Sequence, residues 1–163
     1  MKTLVSILII IFGSQQGFAQ KFHQLNLADS LQTQSISLRR AKLKHLPEAL
    51  FSFKNVEILD LRNNKLDHLP DRLSELKRLK IIKLSRNQFK HFPEVLKTLT
   101  QLEHIDLWDN QISDLHLNLE DLPHLTYLDI SGILLSEDVY NRLQDQFQSI
   151  EFIASPPCDC MKH

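Results

Sequence analysis

Three histidines, His45, His68 and His91, recur at intervals of twenty-three residues. Imidazole nitrogens bind transition metals and titrate at about pH 6 to 7, so a stacked row of them could share a metal or respond to pH. Three rings on one straight row do not readily supply tetrahedral geometry. Duplication of an ancestral unit explains the same spacing, and we therefore predict no metal site in this row.

Two further groups have metal-ligating side chains. Cys158, Cys160 and His163 lie close together in the tail, where the thiols could bind a metal, form a strained disulfide or cross-link to another chain. Asp106, Asp109 and Asp129 could hold a hard cation such as calcium, but no ligand loop with a glycine turn accompanies them. We predict a flexible oxidised tail, an acidic surface patch, and no bound metal or other cofactor.

Motifs of known enzymes are absent from the chain. It has no G-x-S-x-G, H-E-x-x-H, glycine-rich phosphate loop or paired-carboxylate motif. Two of its three glycines lie in the first nineteen residues, which leaves almost nothing from which to build a phosphate-binding loop. The formal net charge of −1 gives none of the positive potential that a nucleic-acid-binding protein needs. We predict a protein that is not an enzyme and does not bind nucleic acid.

The first nineteen residues have the pattern of a secretory signal peptide. Lys2 is followed by an apolar run from Leu4 to Phe12, and small residues precede a cleavage site after Ala19. This run of nine residues, eight of them apolar, falls well short of the ~20 that a membrane-spanning helix needs, which disfavours an uncleaved anchor. We expect a secreted or periplasmic protein without membrane insertion after cleavage.

The rest of the chain contains a repeated unit. Five stretches align at a spacing of twenty-three, namely ISLRRAKLKHLP, LDLRNNKLDHLP, IKLSRNQFKHFP, IDLWDNQISDLH and LDISGILLSEDV. Each begins with alternating apolar and polar residues, which predicts a short strand with one buried face. In the first three a Leu-Pro or Phe-Pro step follows, at Pro47, Pro70 and Pro93, and predicts a turn.

This unit resembles the leucine-rich repeat. Its signature L-x-x-L-x-L-x-x-N-x-L is met by Val56 to Leu66, Leu79 to Phe89 and Leu102 to Ile112, allowing other apolar residues for leucine. The continuation L-P-x-x-L is similar to the twenty-three-residue class of Ras-suppressor-like repeats, here in a secreted, bacterial-type protein. Ala41 and Ile133 depart from the pattern where the Asn should be. The resemblance implies an α/β solenoid, a right-handed coil of about five repeats with a concave parallel β-sheet.

Packing considerations agree with that fold. A single unit buries too few apolar side chains to offset the entropy of ordering twenty-three residues, whereas stacked units cover one another. Asn64, Asn87 and Asn110 are polar at inward positions, and a buried amide must find hydrogen-bond partners. We predict that they form a structural ladder rather than a catalytic group.

The predicted organisation is one capped solenoid. We assign 1–19 to a signal peptide, 20–34 to an N-terminal cap, 35–135 to the repeats, 136–155 to a C-terminal capping helix and strand, and 156–163 to a flexible tail. In the C-terminal cap, Ser136 can begin a helix that has Val139, Leu143 and Phe147 on one face, before a last strand from Ile150 to Ile153.

Residues that alternate with the buried ones should form columns on the concave face. The predicted binding residues there are Trp108, Tyr127, His104, Ile81, Ile58, Asp106, Asp129, Arg62 and Lys83. Trp and Tyr beside charged residues are typical of protein interfaces. We predict a module that binds another protein. The alternatives are a surface glycan bound by Trp108 and Tyr127, or a structural spacer cross-linked through the cysteine tail.

Overall fold

The computed structural model describes residues 6–9, 32–113, 119–133 and 135–156. The strands among these residues form one parallel β-sheet. Its seven strands follow one another in chain order, so each strand pairs only with those before and after it. The strands are β1 (Ser6–Ile9), β2 (Thr33–Ser37), β3 (Ile58–Asp60), β4 (Ile81–Lys83), β5 (His104–Asp106), β6 (Tyr127–Ile130) and β7 (Glu151–Ala154). This sequential pairing confirms the predicted solenoid.

The register of the sheet follows the sequence repeat. From β2 to β6, residues twenty-three apart are direct partners in neighbouring strands, as in the pairing of Leu59 with Ile82 and of Ile82 with Ile105. These inward residues are fully buried, and the leucine two positions further on, such as Leu84, is buried as well. Backbone pairing continues past the strands, because the N–H of Leu84 donates to the carbonyl of Asp106 at 2.7 Å.

Short 3₁₀ helices return the chain on the side opposite the sheet. Three of them, Glu48–Ser52, Asp71–Glu75 and Glu94–Thr98, each begin directly after a proline. The fixed φ of proline suits the residue before a helical turn, and its missing N–H removes a donor that would lack a partner there. A fourth, Leu119–Asp121, lacks the preceding proline. The turns predicted at the Leu-Pro and Phe-Pro steps are therefore observed.

Asn64, Asn87 and Asn110 join consecutive repeats through buried side chains that are 7 to 8 % exposed. The Asn87 amide oxygen accepts a hydrogen bond from the N–H of Leu66 at 3.1 Å, and its Nδ2 donates to the carbonyls of Leu61 at 3.1 Å and Leu84 at 2.8 Å. Asn64 and Asn110 make the corresponding bonds in their own repeats. Each side chain thus satisfies backbone groups of two successive units.

The residue before each ladder position has a left-handed backbone. Positive φ angles recur every twenty-three residues, at Arg40, Asn63, Arg86, Asp109 and Gly132. For residues other than glycine this conformation costs about 1 kcal/mol or more, so the surrounding structure must hold it. The neighbouring Asn side chain, bonded on both sides, supplies that constraint at three of the five positions. The ladder positions of the outer repeats hold the buried apolar residues Ala41 and Ile133 instead.

The two ends of the sheet differ. At the C-terminal end a helix, Glu137–Gln146, begins after Ser136, whose hydroxyl accepts a hydrogen bond from the N–H of Val139 at 3.4 Å. Leu143 and Phe147 are buried, and Phe147 packs against Phe152 of β7 with ring centroids 5.1 Å apart. Among the described residues, no helix is long and apolar enough to span a membrane.

At the N-terminal end, β1 pairs in parallel with β2 and lies within the predicted signal peptide. Cleavage after Ala19 would remove β1 and make β2 the first strand of the sheet. Most of the predicted N-terminal cap, and the tail with Cys158, Cys160 and His163, lie outside the described residues.

Replacing Asn87 by alanine tests the ladder. We expect Asn87→Ala to lower the free energy of unfolding by about 2 to 3 kcal/mol, because it leaves the buried N–H of Leu66 without its acceptor. Urea unfolding followed by circular dichroism measures the change. The control Gln88→Ala alters the exposed neighbouring residue and should stay within about 0.5 kcal/mol of the wild type. Equal effects of the two substitutions would contradict a structural role for the ladder.

Candidate functional site

The outward side chains of β2 to β7 form a continuous surface, here called the sheet face. Its first column contains the paired residues Ser35, Ile58, Ile81, His104, Tyr127 and Glu151, and its second contains Ser37, Asp60, Lys83, Asp106, Asp129 and Ile153. Each column therefore places chemically different side chains about 4.8 Å apart along the sheet. The register brings together the predicted binding residues of β3 to β6, with Arg62 and Trp108 two residues beyond their strands.

The first column changes from aliphatic to aromatic along the sheet. Ile58 and Ile81 are half-buried neighbours in adjacent strands. The His104 and Tyr127 rings then stack with centroids 4.0 Å apart and planes 10° from parallel. Stacked rings hold each other's rotamers, so this pair presents a preformed flat surface.

Burial adjusts the ionisation of both stacked rings. Burial lowers the pKa of His104 below its usual value and Lys83 acts in the same direction, while Asp106, Asp129 and Glu151 oppose this shift. Burial also raises the pKa of Tyr127, and the same three carboxylates add to that rise. Both rings are therefore held in their uncharged forms near neutral pH.

Three aspartates of the second column have a structural role that the sequence pattern did not indicate. Each accepts a hydrogen bond from the backbone N–H two residues later, Asp60 from Arg62 at 3.1 Å, Asp106 from Trp108 at 3.2 Å and Asp129 from Ser131 at 2.8 Å. These bonds close an Asx-type turn at the end of each strand. Two of the predicted binding residues, Asp106 and Asp129, therefore also hold the local backbone.

The lysine at the corresponding position of β4 cannot accept such a bond. In that repeat the hydroxyl of Ser85 donates instead to Asp106 Oδ2 in the next strand, at 2.9 Å. Ser85 is 3 % exposed and Asp106 is half-buried, so this contact is partly shielded from solvent beside the strand end.

Arg62 is engaged within the molecule. Its Nε and Nη2 donate to the two carboxylate oxygens of Asp60 at 2.9 and 2.7 Å, a bidentate geometry. Although burial raises the pKa of Asp60, hydrogen bonds and charge from Arg62 outweigh it and hold that pKa below its usual value. The pair is thus self-neutralised, and Arg62 contributes less free positive charge to the sheet face than the sequence suggests.

Trp108 lies at the end of β5 and is 37 % exposed. The guanidinium of Arg86 lies over its ring, 4.5 Å from the centroid, and Arg86 Nε is 3.4 Å from Asp109 Oδ2. Gly132 lies against the same indole, since a methyl group added there would stand 3.4 Å from Trp108 Nε1 and 3.3 Å from the backbone nitrogen of Asp109. Arg86 and Gly132 therefore both restrict the position of the Trp108 ring.

Two residues of β7 extend the sheet face beyond the sequence prediction. Glu151 pairs with Tyr127 and Ile153 with Asp129, and Ile153 is 38 % exposed. The pairing offset is 24 residues here rather than 23, because an α-helix replaces the short 3₁₀ turn. A strand extrapolated from the repeat alone starts at Ile150 and would turn the opposite side chains outward.

The histidine row and the acidic residues give no metal centre in the part of the chain that the structure describes. The rings of His45 and His68 lie 5.3 Å apart, and His68 Nδ1 is 2.6 Å from Asp67 Oδ1. Among the described residues, no group of three or more His, Cys, Asp or Glu side chains has an arrangement that could hold a metal ion. The cysteine tail lies outside those residues.

Comparisons with known protein families and structures identify the repeat. Family models described as leucine-rich repeat and as two copies of leucine-rich repeats match residues 32–89 and 100–151. The fold is similar to a leucine-rich-repeat protein of Leptospira interrogans, at 27% identity over 66% of this chain and 28% of that chain, with a TM-score of 0.59. A search of curated protein sequences gave no match.

Two further solved structures share the fold. Internalin C2 of Listeria monocytogenes has a TM-score of 0.63 at 18% identity, over 81% of this chain and 57% of that chain. The plant peptide hormone receptor RGFR1, solved in complex with RGF2, has a TM-score of 0.55 at 19% identity, over 81% of this chain and 23% of that chain. The chain thus spans less than two thirds of the length of each of these three proteins.

The ionisation of His104 can be measured directly. In nuclear magnetic resonance titrations we expect its midpoint below the ordinary value of 6.5, because burial disfavours the charged ring. Lys83→Gln should raise the midpoint, because the charge of Lys83 disfavours the charged ring. The unfolded chain takes up this proton more readily, so the contribution of His104 to stability falls as pH drops below 6.5. A wild-type midpoint above 6.5 would contradict the burial of the ring.

Proposed function

Because this chain is a leucine-rich-repeat protein with an exposed aromatic surface on its sheet, we propose that it is a non-enzymatic module that binds another protein through the sheet face. The observation that carries the proposal is a cluster of aromatic side chains at β5 and β6: His104 and Tyr127 stack where these strands begin, and Trp108 is exposed two residues beyond the end of β5. The repeats belong, in this proposal, to the twenty-three-residue L-P-x-x-L class.

The side chains of this cluster suit protein recognition. Trp and Tyr bury a large area while losing little rotamer freedom, and residues of this kind dominate the binding energy of many interfaces. Here the rotamers are already restricted, since His104 stacks on Tyr127 and Arg86 covers one side of Trp108. A partner would therefore meet a preorganised surface, which reduces the entropic cost of association.

The arrangement of the backbone supports the same proposal. Inward residues and the Asn ladder form the core, so the first-column residues of the sheet face, such as Tyr127, are not part of it. The receptor RGFR1, which has the same fold, was solved in complex with RGF2. At 19% identity that similarity concerns the fold alone and does not identify the partner of the present chain.

We also propose that the protein acts outside the cytoplasm, as a secreted or periplasmic protein of bacterial type. The support is the sequence pattern from Lys2 through the apolar run to the small residues before Gln20. The sheet face from β3 to β7 does not include the residues that cleavage would remove.

Mass spectrometry tests this location. When the full sequence is expressed with a secretion system, we expect the extracytoplasmic fraction to contain a chain of 144 residues that begins at Gln20. Replacing Ala19 by arginine should block processing at that site, because signal peptidases need a small residue there. A chain recovered only in the cytoplasm with residues 1–19 intact would contradict the proposal.

Affinity capture tests the sheet face. From native extracellular or envelope material, we expect the wild-type chain to capture a specific protein, and Trp108→Ala with Tyr127→Ala to weaken its binding by about 30-fold or more. Circular dichroism should show that the variant remains folded, since Trp108 is exposed and Tyr127 is half-buried.

The control for this capture is a variant with two exposed residues changed away from the sheet face, His45→Ala with His91→Ala. It should capture the same protein as the wild type. Equal capture by the aromatic variant would contradict binding through the sheet face. Recovery of a glycan in place of a protein would contradict the proposed class of partner.

A further inference from the structure

The sheet face has charges of opposite sign at its two ends. The N-terminal end has the exposed basic residues Arg39, Arg40 and Lys42 beside β2. The C-terminal end, formed by β5, β6 and β7, carries Asp106, Asp129 and Glu151. We call the surface formed by these three carboxylates together with Trp108 and Tyr127 the acidic aromatic end.

The carboxylates of the acidic aromatic end make no ion pair in the part of the chain that the structure describes. Elsewhere on this side of the sheet, Asp60 is paired with Arg62 and Asp109 with Arg86. Within the described residues, no Lys or Arg nitrogen lies within ion-pair distance of Asp106, Asp129 or Glu151. Asp106 has Lys83 as its register partner, whereas Asp129 and Glu151 lie beside no basic residue of the sheet face. A positively charged partner would relieve the two negative charges of Asp129 and Glu151.

The contacts of Arg86 show that a guanidinium fits beside an aromatic ring and a carboxylate on this surface. Arg86 places its guanidinium 4.5 Å from the centre of the Trp108 ring and 3.4 Å from a carboxylate oxygen of Asp109. An aromatic ring beside a carboxylate thus already holds a guanidinium on this surface, through cation–π and ionic attraction. Tyr127 has Asp129 two residues further along its own strand and Glu151 as its register partner on the next, which repeats that combination without an internal cation.

We propose that the partner is a protein that presents a cationic segment, rich in arginine or lysine, to the acidic aromatic end. This inference rests on the proposed binding function of the sheet face and specifies the chemistry of its partner. A guanidinium beside Tyr127 meets Asp129 and Glu151, and a second basic side chain reaches Asp106, which is the register neighbour of Asp129. The basic N-terminal end of the same face repels such a segment and so fixes where it binds.

Trp108 provides the reporter for a test, because it is the only tryptophan of the chain and lies at this end. The probes are hexa-arginine and hexaglutamate peptides, added to the purified chain at about 150 mM salt, where weak long-range attraction is screened. We expect hexa-arginine to change the fluorescence of Trp108 in a saturable way and hexaglutamate to leave it unchanged.

The decisive variant is Asp129→Asn with Glu151→Gln, which removes charge but keeps the oxygen that accepts the Ser131 N–H bond. It should bind hexa-arginine at least 10-fold more weakly than the wild type. The matched control, Asp71→Asn with Asp145→Asn, removes the same charge from exposed positions away from the sheet face and should bind as the wild type does.

Two results would overturn the inference. The first is equal weakening in both variants, which would mean that hexa-arginine responds only to the net charge of the chain. The second is the absence of hexa-arginine binding by a chain that still captures a protein through Trp108 and Tyr127. The proposed function would then stand and the cationic partner would not, whereas loss of both kinds of binding would count against both.

Discussion

The buried Asn side chains that join consecutive repeats are the interaction on which the rest of the structure depends. Each amide bonds an N–H and two carbonyls, and the carbonyls of Leu61 and Leu84 each accept from two successive ladder residues. The repeats are therefore linked by Asn side-chain hydrogen bonds as well as by backbone pairing between strands. Because a buried amide without partners is costly, the register between units is strongly specified.

That register determines what the sheet face can do. The ladder and the left-handed residue before it set where each strand ends, and the Asx-type bonds of Asp106 and Asp129 hold the backbone that follows. Trp108 and the stacked His104–Tyr127 pair are therefore displayed by a rigid support. Binding specificity in such a framework lies in outward side chains that the core does not need, so function has to be argued from those residues.

The sequence period predicted most of this framework because the period has a direct physical cause. Residues that must stack are placed twenty-three apart, so Ile58, Ile81, His104 and Tyr127 could be assigned to one column before the structure was known. The left-handed positions could not be found in this way, because Arg, Asn, Asp and Gly all occupy them. At Asn63, Arg86 and Asp109 the hydrogen bonds of the following Asn hold this conformation, which an arginine does not favour by itself.

Two other features of the sheet face were not predicted from the sequence pattern. Glu151 lies on the sheet face because β7 pairs with β6 at an offset of 24 residues after the C-terminal helix. The repeat spacing of 23 does not predict this offset. The pairing of Arg62 with Asp60 likewise depends on side-chain geometry, which altered the expected charge of the face. Both corrections move the candidate site toward the C-terminal end of the sheet.

Amide nuclear magnetic resonance mapping of the isotopically labelled chain with its captured partner tests binding through the sheet face most directly. We expect signals from β5, β6, β7 and Trp108 to change on binding, while those of the 3₁₀ helices on the opposite side remain unchanged. Changes confined to the 3₁₀ helices, with the sheet signals unmoved, would contradict the sheet face as the binding surface.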